Sequence, residues 1–483
     1  MRRYADSGRQ SAVPAVGARS WWLLEALHAD AGEACPALAG EATADVCVVG
    51  GGFAGLWTAY ELGERDPRLG IALVEADIVG AGGSGANGGF FSPSWAQLSS
   101  LCASLGEEGG VAYAAALAAM VDELDGWIAR HDARIDHWHE GILYARAGDW
   151  QPGPDAETFR LLEQHGYADR LRRVDAGAAR AVADSPRFIG GVVTPDLTVL
   201  QPGKLARELR RVLLERGVRI FEHTPMVRVE NGRRPRVVTP GGAVSGGGVV
   251  LALGAWAARE QHFRRAFAVC TDFMVVTEPI PELIERIGWT SHMGVADLRE
   301  MLYYLRRTAD DRIAIGGGAM GIVCGARIRG RALTSPRLAA AAAHGLVWLF
   351  PQLEGVRFEA AWSGPMDITG PALPFYESAP GGRVHAGLGF SGHGLTGTRL
   401  GGKILASLVL GADDEWSRMA VVGPPLAQLP PEPMRWPLVQ SVSLAYEASD
   451  RAHEQGSAPG LLPRAVIAGY GRYGALNSAT GRE

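Results

Sequence analysis

The chain has 483 residues, 47% of them hydrophobic and 20% charged, enough apolar material for two sizeable domains of an ordinary globular protein. Its 47 basic residues stand against 52 acidic ones, a formal net charge of -5 without a long block of one sign, which argues against nucleic acid as a partner. Five cysteines, Cys35, Cys47, Cys102, Cys270 and Cys324, lie far apart with no CxxC pair, so neither a disulfide framework nor a metal centre is expected, and a reducing cytoplasm fits best.

The charged start MRRYADSGRQ runs into polar and small residues, so a signal peptide is not expected. The apolar runs near Ala112–Met120 and Ala339–Phe350 fall short of the roughly 20 apolar residues of a membrane span. Residues 1–43 read as an amino-terminal arm whose Trp21 and Trp22 dock on the body. Regular structure is expected from Asp45–Gly50, an apolar strand ended by glycines, followed by a helix over Phe53–Leu62 and a strand over Gly70–Glu75. Helical spacing covers Glu107–Asp132 and Leu205–Arg216. Strands over Val218–Glu222, Met226–Glu230, Arg236–Thr239 and Val249–Leu253 return to the first domain. Phe267–Thr277, Met301–Arg307 and Arg312–Gly316 have the β-branched and aromatic content of a separate antiparallel sheet. A helix over Pro336–Phe350, a strand over Gly382–Gly389 and a helix over Leu395–Leu410 follow, and from Gly456 the tail shows no period and reads as extended or disordered.

The fold class that results is α/β with an α+β second domain. A Rossmann-like dinucleotide-binding domain spans residues 44–100, 185–260 and 360–425; a domain with an antiparallel substrate sheet spans 101–184 and 261–359; residues 426–483 form a partly disordered extension.

The segment VVGGGFAGL places Gly50, Gly52 and Gly55 in a GxGxxG frame between a strand and a helix that begins with Phe53 and Ala54. Gly50 suits the tight turn, Gly52 lets the backbone approach a pyrophosphate, and Gly55 lets the helix lie close on the strand. Glu75, twenty residues after Gly55 and followed by Ala76, stands where a carboxylate accepts from ribose hydroxyls. A second glycine-dense loop, Gly80–Gly89, carries Gly83, Ser84, Asn87, Gly88 and Gly89 and suits close approach to the same ligand. These features specify a dinucleotide without choosing between FAD and NAD.

With DVCVVGGGFAGLWTAYEL and GSGANGG, and again at Val249–Trp256, Tyr303–Thr308, Trp362–Asp367 and Gly389–Gly394, the chain resembles the FAD-dependent amine oxidoreductases of the D-amino-acid oxidase superfamily. The pattern is closest to γ-glutamylputrescine oxidase-like proteins and runs from about Trp21 to His453. The resemblance implies FAD in an extended conformation under an antiparallel substrate sheet, and oxidation of a C–N bond in a small amine or amino-acid derivative, with O2 or another acceptor. It implies further that Gly254 and the backbone of Val227 meet the cofactor, although Val227 by itself reads as a core valine. The loop Gly389, Phe390, Ser391, Gly392, His393, Gly394, with Leu395 and Thr396 behind it, opens a helix whose positive end suits the flavin's pyrimidine side; a lone His393 is equally a satisfied histidine at a helix start.

Sarcosine-type members carry a flavin-tethering cysteine before the TxxxxP turn and a substrate-binding lysine after the GHG loop. Here those stretches read AAWSGPMDITGPALP and LTGTR, so FAD is expected without a covalent bond, and the α-carboxylate anchor is missing. Tyr304 and Arg306, two apart on the substrate strand, share a face and are candidates to hold the amine and a distal anion, beside the alternative of a packed strand edge. His393, Tyr304 and Arg306 are thus the catalytic candidates, with His292 and Asp297 as lesser ones. A tailoring enzyme that desaturates or cyclises a specialised intermediate, and a flavin-binding subunit without turnover, stay open as alternatives.

Overall fold

The computed structural model describes residues 13–29 and 32–480, with side-chain surroundings as far as residue 470. The stretch read for a leader falls in residues 1–12 and the last of the tail in residues 481–483, both outside the described residues.

Two sheets divide the molecule. The first has eight strands built around Gly40–Val49, which pairs in parallel with Ile71–Val74 on one side and Gly242–Leu251 on the other. Arg219–Phe221 and Val384–Leu388 extend the parallel set, while Phe375–Ser378, Arg236–Thr239 and Arg228–Glu230 pair antiparallel outside it. Cys47, Val48 and Val49 are apolar without alternation because both faces of a parallel sheet are covered. One covering layer consists of the helices Phe53–Arg65, Glu107–His131 and Gly394–Leu410, whose Trp57, Tyr60, Trp127 and Leu400 form a single core. Trp57 and Trp127 meet edge to face at 5.2 Å. Glu107–His131, expected in the second domain, therefore belongs to the first: its tryptophan and leucine face has its partners there.

The second sheet has nine strands, with Ala268–Thr277 flanked by Phe358–Ile368 and Ile313–Gly317, and Tyr303–Arg307 next to the latter. It is mixed rather than purely antiparallel, since Gly294–Asp297 and Ile142–Arg146 run parallel. Phe358–Ile368 and Gly190–Thr194, assigned wholly or mostly to the first domain from sequence, hydrogen-bond into this second sheet.

Both ends of the chain are more regular than expected. Trp21–Ala29 is a helix with Trp22 fully buried, and Gly40 already lies in the first sheet, so structure begins before residue 43. At the other end Arg435–Glu454 and Leu461–Thr480 are helical, which corrects the reading of the tail as irregular. The first of these helices latches the turn between Gly294–Asp297 and Tyr303–Arg307: Met301 N–H donates to Asp450 Oδ2 at 2.9 Å, and buried Arg299 joins Asp297, at 2.5 Å, to Glu454. No described helix is long and apolar enough to cross a membrane.

Candidate active site

A cavity of about 860 Å³ runs between the two sheets. At its inner end Gly50, Gly52, Phe53 and Ala54 form the turn from the central strand into the Phe53–Arg65 helix. Gly50 has φ +113°, and a Cβ there would overlap the Ala252 carbonyl, so only glycine makes this turn. Gly55 lies beneath, outside the lining, packed on the Gly50 carbonyl. Ser84 Oγ accepts from Phe53 N–H at 2.8 Å and thereby anchors the second glycine loop at the helix amino terminus. Asn87 closes that loop, donating to the Ser84 carbonyl at 2.6 Å and accepting from Gly89 N–H at 2.8 Å. Gly83, Ser84, Asn87, Gly88 and Gly89 all line the cavity.

Glu75, at the end of Ile71–Val74, accepts from Gly51 N–H at 2.6 Å and Asp77 N–H at 2.8 Å. It lines the cavity with Ala76, and burial holds its carboxyl above the usual range despite those bonds. Gly254 lines the opposite wall in a left-handed conformation, together with Trp256, which the sequence suggested was mere packing. Val227 is not among the lining residues; its neighbours Thr224, Pro225 and Met226 are. Nor is it core: its side chain is 57% exposed, because only its N–H is engaged, on the Val238 carbonyl at 2.8 Å.

Phe390, Ser391, Gly392, His393, Gly394, Leu395 and Thr396 all reach the cavity, where the first turn of the Gly394–Leu410 helix opens. Gly389 stands just behind, donating to buried Asp367 Oδ2 at 2.6 Å, and Ser391 N–H binds the Asp367 carbonyl at 3.1 Å. Burial pushes the Asp367 carboxyl up to about 6. His393 is open to the cavity but walled by protein, which lowers its imidazole below the ordinary value. Thr396 Oγ1 is buried and has no partner.

The roof is the second sheet. Tyr304 hydroxyl donates to Asp272 Oδ2 at 2.5 Å, and both side chains line the cavity beside Gly88, where a Cβ would come within 2.7 Å of the Tyr304 ring. Arg306 shares the face but not the cavity. Its guanidinium is fully buried on the Leu200 carbonyl, 5.0 Å from the Trp22 ring, and burial lowers it to about 9. The expectation that Arg306 holds a substrate anion is therefore corrected: Gly89, Leu200 and Trp22 enclose it. His292 stacks on Trp138 at 3.8 Å, and Asp297 accepts from Tyr303 N–H at 2.8 Å and Gln151 at 3.0 Å; neither lines the cavity.

Sequence reasoning missed Asp272, Glu300 and Asp367 as lining groups. Asp272 left one signal, a lone acid inside the apolar strand Ala268–Thr277.

The family model described as "FAD dependent oxidoreductase" (DAO) matches residues 45–408, most of the chain. The chain belongs to this family. The gamma-glutamylputrescine oxidoreductase of Escherichia coli is 28% identical over 390 residues, covering 78% of this chain and 86% of that one. A probable oxidoreductase, OrdL, of Haemophilus influenzae is 26% identical over 77% of this chain and 84% of its own. Among solved structures, glycine oxidase from Geobacillus kaustophilus superposes with a TM-score of 0.61 at 21% identity, over 77% of this chain and 96% of that one, which shows the shared fold. As a DAO-family protein the chain is an FAD-dependent oxidoreductase, in a family that oxidises amine and amino-acid C–N bonds, and it takes a small-molecule substrate and an electron acceptor.

The residues fit the cofactor. Glycine at positions 50 and 52 leaves open the space a Cβ would fill, the Phe53–Arg65 helix turns its amino terminus to the cavity, and Thr396 Oγ1 lacks a partner at the second helix start.

Proposed function

We propose that this flavoprotein, in the cytoplasm, oxidises a small amine at the carbon next to nitrogen, with FAD held by non-covalent contacts alone. The observation that carries the reading is the continuity of one cavity from the Gly50–Glu75 turn to the Asp272–Tyr304 pair, past the open end of the Gly394–Leu410 helix. Gly52, Ser84 and Glu75 would hold the pyrophosphate and ribose, and the amides of Gly394, Leu395 and Thr396 the flavin edge. None of the lining residues is a cysteine, which supports attachment without a tether. When bound, FAD supplies the acceptor for a hydride leaving the carbon beside nitrogen, so that the C–N bond becomes an imine for water to hydrolyse.

The chain's own groups prepare that event. The helix amino terminus and His393 face the side where negative charge collects, and amide dipoles fixed in advance stabilise it without reorganising. Tyr304, its hydroxyl held by Asp272, offers a rigid wall against which the substrate is oriented. Met274, Ala296, Leu302 and Met366 exclude water from the same region. Thr396, Gly397 and Thr398 stand where a lysine would bind an α-carboxylate, and Arg399 just beyond is buried against Glu61 and Glu123, which supports an amine recognised by other means.

The test is direct. Purified protein should be yellow, release its colour on acid precipitation, and bleach anaerobically with a panel of amines. A protein that takes up no FAD refutes the cofactor assignment, and one whose flavin no amine reduces refutes the reaction. Peroxide formed in air would identify O2 as the acceptor.

A further inference from the structure

The substrate end of the cavity is acidic. Asp272 stands on the roof beside Tyr304, and Glu300 on the wall formed with Met301 and Leu302. No lysine lines the cavity, and its one lining arginine, Arg259, lies next to Trp256 and Glu260 on the dinucleotide-binding side. Arg306, the nearest alternative cation on the sheet, is enclosed and bound to the Leu200 carbonyl.

Asp272 has neutral partners only. It accepts from Phe273 N–H at 2.8 Å and from the Tyr304 hydroxyl at 2.5 Å, with the Gly317 backbone also directed at it. A carboxylate offers about four acceptor sites, so one is left for a donor arriving through the cavity. A largely enclosed carboxylate without a counter-charge is costly, and no basic side chain among the lining residues supplies one. An ammonium group does.

We infer that the substrate is a short diamine: one nitrogen is presented for oxidation, the other is kept as an ammonium ion on Asp272, which Tyr304 positions, and Glu300 draws the dication to the mouth. This deepens the proposed C–N oxidation and rests on it. An α-amino acid fits poorly, because its carboxylate would meet Asp272 and Glu300 with no cation between them.

The experiment compares anaerobic bleaching of the FAD-loaded protein by 1,4-diaminobutane, butylamine and 4-aminobutyrate, with glycine, sarcosine and proline as carboxylated amines. The diamine should exceed butylamine in kcat/KM by about 10- to 100-fold, the worth of one charge-assisted hydrogen bond, and 4-aminobutyrate should fall below both. D272N should bring the diamine-to-butylamine ratio to about one, mainly through KM. E300Q, on an exposed side chain, should lower the diamine rate more than the butylamine rate and weaken its salt dependence; should D272N lose FAD, this second variant decides. Bleaching by the carboxylated amines alone, or an unchanged ratio in the deciding variant, overturns the diamine assignment and leaves C–N oxidation standing. Bleaching by none of the amines overturns C–N oxidation, and the diamine with it.

Discussion

Replacing Gly52 with valine tests the cofactor assignment at a single atom. A Cβ at this position stands 2.9 Å from Ser84 Oγ, closer than real Cβ contacts come, and Ser84 Oγ is the acceptor that holds Phe53 N–H. Valine therefore expels Ser84, at roughly 1 kcal/mol for the lost hydrogen bond, and fills the space a pyrophosphate needs. Two N–H contacts to phosphate at about 1.5–3 kcal/mol each would go with it, so FAD affinity should fall by about 10²- to 10⁴-fold. Gly52 has φ -83°, which any residue adopts, so the fold itself should survive. The assay is titration of the apoprotein with FAD by flavin fluorescence, with circular dichroism as the folding control. A folded variant that binds FAD with wild-type affinity refutes the placement of the pyrophosphate. Gly50→Ala is the contrast: it collides with the Ala252 backbone, which cannot yield, and should destabilise the protein with or without cofactor.

Further outcomes follow from the same geometry. Thr396→Val removes a buried hydroxyl without a partner, so the apoprotein should melt higher while FAD affinity drops about 5- to 30-fold; calorimetry and titration check the two signs together. Arg306→Met should cost stability, on the order of 2–4 kcal/mol in urea unfolding, without altering the KM of any amine, because the guanidinium lies outside the cavity. Asp367 has its carboxyl raised from 3.8 to about 6, so the folded protein keeps a proton that the unfolded chain releases. Its contribution is full below about 3.8 and declines, by at most about 3 kcal/mol, as pH rises through 6. Melting curves should therefore show Asp367→Asn gaining on the wild type from pH 4 to pH 7; a constant difference refutes the assignment.

How much of this was legible in the sequence depends on the range of the interactions. The strand, glycine turn, helix, strand and acid from Gly40 to Glu75 are local, and their pattern of apolar runs and glycines defines them with end shifts of a few residues. Pairing partners are not local. Gly190–Thr194 and Phe358–Ile368 join the second sheet across long stretches of chain, and nothing in their own residues says so. The Glu107–His131 helix shows its periodicity but not which body its Trp127 face meets. Alternation correctly put Tyr304 and Arg306 on one face, yet whether that face is open was decided by Gly89, Leu200 and Trp22, over a hundred residues away for two of them. Arg435–Glu454 was missed because its apolar positions are few: it is held by polar latches at Asp450 and Glu454 rather than by a wide apolar stripe.

That latch has a consequence of its own. The family match ends at residue 408, whereas Asp450 and Glu454, well beyond it, hold the main chain at Met301 and the guanidinium of Arg299 on either side of Glu300. One wall of the substrate chamber is thus suspended from a segment that the shared scaffold does not include. Exchanging this helix would reshape what the chamber admits while leaving the nucleotide cradle, more than 300 residues earlier in the chain, as it is; the tail is the part of the molecule through which new substrates can be selected independently of the flavin.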